Sequence, residues 1–132
     1  MRNLSQIEEN RLKILTKNSV SVSLVEPTAN GLKKSILDAT GPIRLYLKGC
    51  NFHDYAIQKQ GPENKVMIEG LFYKKFETFK SKISLYRPNT KNGDPRIWLS
   101  GLTKYSNPSD IIVLICFEAK IHAFNLTQLP IE

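Results

Sequence analysis

The chain is poor in cysteine and in aromatic residues. Its 132 residues include two cysteines and one tryptophan, and all aromatics together make up 9%. Two cysteines, Cys50 and Cys116, are too few for a disulfide framework or a four-cysteine zinc site. Cys116 lies in an apolar run, where cysteine behaves as a small core hydrophobe. Long hydrophobic runs are also missing. No stretch approaches the ~20 apolar residues that cross a bilayer. The first eighteen residues are polar and amphipathic, unlike a signal peptide. These absences point to an intracellular protein with no membrane partner.

The rest of the composition is that of an ordinary folded domain, with 41% hydrophobic and 23% charged residues. The length suits one domain with its own core. The net charge is +7, and its placement is uneven. From Lys74 to Lys104 eight cations face two anions, whereas from Ser106 to Glu132 a single lysine faces three carboxylates. A basic middle with an acidic end makes a directional field, and a polyanion is the usual partner for one.

Within that middle, Tyr86 to Leu102 holds a stretch with almost nothing to build a core. Arg87, Lys91 and Arg96 are cations, Asn89 and Asn92 amides, Thr90 a hydroxyl and Asp94 a carboxylate. Pro88, Gly93 and Pro95 stop it from continuing either flanking strand, and Asn92-Gly93 is a turn signal. Arginine's fork of donors fits guanine O6 and N7, and asparagine pairs similarly with adenine. A loop holding both can read a DNA groove. The plainer alternative is a solvated hairpin loop.

Along the chain, Ser5 and Glu8 form a capping-box pattern, which predicts a helix over 6–17 with Ile7, Ile14 and Leu15 inward. Residues 19–25 alternate like a strand. Residues 33–39 read as a short helix. Residues 42–49 read as a second helix with Pro42 in its first turn, although Ile43, Leu45 and Leu47 also alternate as in a strand. Asn51 to Asn64 is a second polar loop carrying His53, Asp54, Tyr55, Gln58, Lys59 and Gln60. Strands are predicted near 65–73, 76–85, 97–99, 110–117 and 121–126. About six strands with short turns suggest a mainly β protein with flanking helices, an α+β domain with an antiparallel, barrel-like sheet.

Glu118-Ala119-Lys120 has the E-x-K form of metal-dependent nucleases, which suggests a small magnesium nuclease using Asp94, Glu118 and Lys120. Against it, Asp110 and Glu118 fall at opposite ends of one strand, roughly 26 Å apart at about 3.3 Å per residue. A charged hairpin turn is the better reading. His53-Asp54 has no serine or cysteine elbow beside it, His122 is expected to be a surface or satisfied core histidine, and Trp98 reads as packing or a loop prop.

The runs NGLKKSILDATGPIR (30–44), HDYAIQKQGPENK (53–65) and LYRPNTKNGDPRIWLSGLTKY (85–105) resemble the N-terminal effector domains of type IIE restriction endonucleases of the MvaI/BcnI kind. Such domains are similar to plant B3 and EcoRII N-terminal domains. The resemblance implies an open seven-stranded pseudobarrel that puts two arms into the DNA major groove at a CCWGG-type site. It implies no catalysis and no cofactor within residues 1–132, with magnesium needed only by a catalytic nuclease domain elsewhere in the full-length chain. It further implies a monomer of the bacterial cytoplasm. The residues themselves place an N-terminal helix within 1–18 and suggest a linker starting at 127–132. One arm would be Arg87, Asn89, Thr90, Lys91, Asn92, Asp94 and Arg96, contacting bases. The second would be either Asn30 to Lys34, with Lys33 and Lys34, or His53 to Lys65, with Asp54, Tyr55, Gln58, Lys59 and Gln60. Lys33, Lys34, Lys59, Lys65, Lys74, Lys75 and Lys91 would supply phosphate contacts, which position without specifying.

Overall fold

The computed structural model describes residues 1–17, 22–74 and 77–128, the Lys91 side chain excepted. Seven strands form one curled sheet: β1 (Val22–Val25), β2 (Ile36–Asp38), β3 (Val66–Lys74), β4 (Glu77–Tyr86), β5 (Arg96–Leu99), β6 (Ile112–Phe117) and β7 (Lys120–Asn125). Their order across the sheet is β1-β6-β7-β3-β4-β5-β2. All neighbours are antiparallel except β3 and β7, which run parallel. The protein is therefore mainly β, with helices α1 (Gln6–Thr16), α2 (Ala29–Lys34), α3 (Gly41–Gly49) and α4 (Leu102–Tyr105) around the sheet.

The inner face carries the main core. Phe72, Ile83, Leu85, Ile97, Leu99, Leu114 and Ile121 pack there with Ile43, Tyr46 and Leu47 of α3. α3 begins as its proline predicts, with Pro42 in the first turn. The strand-like alternation of residues 43–47 yields to the helix because Leu45 points to solvent while Ile43 and Leu47 are buried.

The expected helix over 33–39 is not formed. α2 stops at Lys34, and Ser35 takes a left-handed φ of 57°. Ile36–Asp38 then pairs with Trp98, Ile97 and Arg96 of β5. Tertiary pairing overrides local propensity here, and this short edge strand is the one absent from the sequence-based count. α4 was also not expected.

α1 has the predicted capping box: the Ser5 hydroxyl accepts from the Glu8 amide, and the Glu8 carboxylate from the Ser5 amide. Its buried face is the predicted one only at Leu15. Leu4, Leu12 and Leu15 pack on Ile111, Val113 and Leu126, with Leu24 and Phe124 alongside, while Ile7 and Ile14 are exposed. Arg2 fixes that choice. Its two terminal nitrogens each donate to one oxygen of Glu8 at 2.7 Å, and Thr127 donates to the same carboxylate. The Arg2 guanidinium and the hydrogen bonds hold the buried Glu8 carboxyl down at about 2.

Cys116 is not a free core thiol. It is disulfide-bonded to Cys50, across a sequence separation of 66. The bond ties the end of α3 to β6. The expected end of α1 at Asn18, the start of the 19–25 strand, Lys75 and the expected linker after residue 128 lie outside the described residues. No helix among the described residues is long and apolar enough to cross a membrane.

Candidate nucleic-acid interface

The polar stretch between β4 and β5 is a braced loop with an exposed tip. Arg87 does the bracing. Its Nε donates to the Tyr55 carbonyl at 3.0 Å and its Nη1 to the Gly93 carbonyl at 2.9 Å. The Gly61 amide donates to the Arg87 carbonyl, and the Gly93 amide to that of Thr90. Asn92 and Gly93 turn the chain with φ of 58° and 71°. Gly93 is needed twice, because a Cβ there would also run into the Gln60 side chain. At the tip, Asn89, Thr90, Asn92 and Asp94 are exposed. No hydrogen bond of their side chains occurs among the described residues, so their donors and acceptors face solvent.

The second polar loop supports the first. Tyr55 is buried, and its hydroxyl donates to the Arg96 carbonyl at 2.8 Å. Burial pushes that hydroxyl's pKa up. Gln58 donates to the Asn64 and Leu85 carbonyls at 2.8 and 2.9 Å. His53 bonds Gln58 and stands edge-on to the Tyr55 ring. Asp54 accepts from the Ala56 amide and lies 3.7 Å from Lys48 Nζ. His53, Asp54, Tyr55 and Gln58 belong to one of the two candidate second arms. Tyr55 and Gln58, with Arg87, tie the two loops together, while His53 bonds Gln58 and Asp54 reaches Ala56 and Lys48. Lys59, Gln60 and Lys65 remain on the surface.

Of the two candidate second arms, only residues 53–65 join this loop. α2, with exposed Asn30, Lys33 and Lys34, leads into the far end of β2 and docks on α4 through the Thr103 hydroxyl, which donates to the Leu32 carbonyl. Lys74 is farther still. It sits at the β3–β4 turn, and at about 3.4 Å per residue β3 places it roughly 27 Å from Val66. Its ammonium donates to the Lys104 carbonyl.

No protein-family model, curated protein or solved structure matches the chain.

Between α3 and the 53–57 segment lies a cavity of about 330 Å³ lined by Gly41, Arg44, Lys48, Asp54, Ala56 and Arg87. Three cations against one carboxylate suit a phosphate. The sequence reading passed over Arg44 and Lys48, although their i, i+4 spacing puts them on one face of a helix.

The E-x-K residues form no metal-binding group among the described residues. Glu118 and Ala119 form the β6–β7 turn, both at positive φ. Lys120 faces Glu69 at 4.0 Å. Asp110 is buried at the other end of β6, accepting from the Asn107 amide, Asn125 and Gln128. Among the described residues no three His, Cys, Asp or Glu side chains are grouped to hold a metal. His122 is a satisfied core histidine: Nε2 donates to the Phe117 carbonyl, so Nδ1 accepts from the Tyr73 hydroxyl.

Proposed function

We propose that this chain is a sequence-specific binder of double-stranded DNA, acting as a B3-like effector domain of a restriction endonuclease of the MvaI/BcnI kind. The observation that carries the reading is the loop after Tyr86. A rigid base, fixed by Arg87, presents two amides, a hydroxyl and a carboxylate whose hydrogen-bonding groups face only solvent. Unpaired polar groups on a stiff support are what base-edge recognition needs. The seven-stranded curled sheet is in keeping with the pseudobarrel that the resemblance implies.

In this reading Asn89 or Asn92 meets an adenine and Asp94 a cytosine amine. Arg96 takes a guanine, while Arg87 positions the loop. Lys59, Lys65, Arg44 and Lys48 contact phosphates. Cleavage belongs to a separate nuclease domain, with which magnesium is associated. Asn89→Ala should cost about 1–3 kcal/mol on a cognate CCWGG duplex and relax discrimination at one base pair. Fluorescence anisotropy against duplexes varied one pair at a time measures this. Equal weakening on all duplexes would remove base reading by the tip.

A further inference from the structure

The outer face of the sheet divides into two halves. Over β1, β6 and β7 it is covered by α1. Over β3, β4, β5 and β2 no element among the described residues covers it, and apolar side chains stay open there. Met67 is 55% exposed and Trp98 36% exposed. They lie on either side of Ser84 in one cross-strand row, Met67–Ser84–Trp98–Ile36. In the next row Tyr86 stands beside Arg96, with Lys65 Nζ 5.6 Å from the Tyr86 ring centre. Strand alternation puts Lys80 and Lys82 of β4 on the same face.

Three features mark this half as a binding surface. Trp98 contacts no other ring and its indole N–H has no partner among the described residues. Lys65, Lys80, Lys82 and Arg96 form no ion pair within 4.0 Å among those residues, where the ion pairs are made by Arg2, Lys48 and Lys120; the two carboxylates on this face, Glu69 opposite Lys82 and Asp38 opposite Arg96, leave the cations in excess. Ser84 Oγ and Arg96 Nε are two of the four buried side-chain polar atoms without a hydrogen-bond partner among the described residues, the others being Ser23 Oγ and the Tyr46 hydroxyl elsewhere in the fold, though buried polar atoms are nearly always paired. Ser84 itself is 3% exposed and lies between Met67 and Trp98.

We propose that this open half of the sheet is a platform for single-stranded nucleic acid. Bases stack on Trp98 and Tyr86, and phosphates meet Lys65, Lys80, Lys82 and Arg96. Sheet faces and grooves that bind single strands combine exposed aromatics with cations in this way, and stacking tolerates any base. In the linear sequence the polar loop separates Tyr86 from Trp98. The β4–β5 pairing brings them to diagonal positions, about 7–8 Å apart. The platform shares Lys65 and Arg96 with the duplex reading, whereas its stacking residues, Trp98 and Tyr86, take no part in that reading.

Trp98 is the only tryptophan, so the protein's own fluorescence reports on the platform. The chain is titrated with dT12, rU12 and a CCWGG duplex. Saturable quenching by dT12 or rU12 is expected, and which of the two binds more tightly identifies DNA or RNA as the source. Trp98→Ala should weaken labelled dT12 or rU12 by about ten-fold or more, Trp98→Phe should retain most of the binding, and Lys82→Ala should flatten its salt dependence. Binding of neither strand, or binding with unchanged fluorescence, overturns the proposal. So does self-association that Trp98→Ala abolishes in the absence of any quenching. Quenching by single strands without duplex binding would remove the duplex reading and leave this one. Duplex binding without single-strand quenching would do the reverse.

Discussion

The two halves of the outer sheet face share one backbone and one alternation, yet they end differently. Under α1 the outward residues include Leu24, Val113, Ile115 and Phe124, an aliphatic and aromatic set that a helix can seal. Across β3, β4 and β5 the outward set mixes Met67, Trp98 and Tyr86 with Ser84, Glu69, Lys80, Lys82 and Arg96. A helix laid over that face would have to bury several charged groups, more of them cations than carboxylates, which is strongly unfavourable. Outward composition, rather than strand propensity, decides which half becomes core and which stays open. The helix that seals the first half is held by a carboxylate–guanidinium clamp, and only the second half adjoins the polar loops.

The largest effect should come from what both halves share. The Cys50–Cys116 bond closes a long loop, and reducing it should lower stability by about 4 kcal/mol on chain-entropy grounds. Thermal unfolding with and without reductant measures this, and a loss confined to one half would contradict a single cooperative fold. Leu12→Ala, under the covered half, should cost about 2 kcal/mol and leave nucleic-acid affinity unchanged below the melting transition. A change in affinity would mean the halves are not separate in role.

Acid tests the clamp. The Glu8 carboxyl is held at about 2 against an ordinary 4.5. Its contribution is therefore complete above pH 4.5 and is lost as pH falls toward 2. Arg2 is 34% exposed at its side chain, so solvent screening reduces the contribution to on the order of 1–2 kcal/mol. Wild type should exceed Glu8→Gln in Tm at pH 6, and the gap should shrink below pH 4.5. The smallest effect belongs to the open half. Lys65→Ala should leave Tm unchanged and lower the salt slope of duplex binding by about one.

Much of the fold was legible in the sequence. Residues 66–74, 77–86, 112–117 and 120–125 are strands close to their predicted limits, and the α1 cap was explicit in Ser5 and Glu8. β2 was not, because three residues after a helix carry no period and become a strand only by pairing with β5. On α1, Leu15 was read correctly as inward but Ile7 and Ile14 were not, because they outrank Leu12 by hydropathy and nothing local announces the Arg2–Glu8 contact. The disulfide joins positions 66 apart, beyond the reach of any spacing rule. At the site, the polar loop after Tyr86 was evident from composition. Which of its side chains face inward was not, because Arg87 is fixed by carbonyls of Tyr55 and Gly93 that only folding brings near.

The most direct test of duplex recognition is a competition titration at fixed salt. A labelled CCWGG duplex is displaced by duplexes differing at each base pair in turn. The account predicts that substitutions at particular pairs weaken competition by about ten-fold or more while flanking changes do not. Equal competition by every duplex, set only by length and salt, would contradict it.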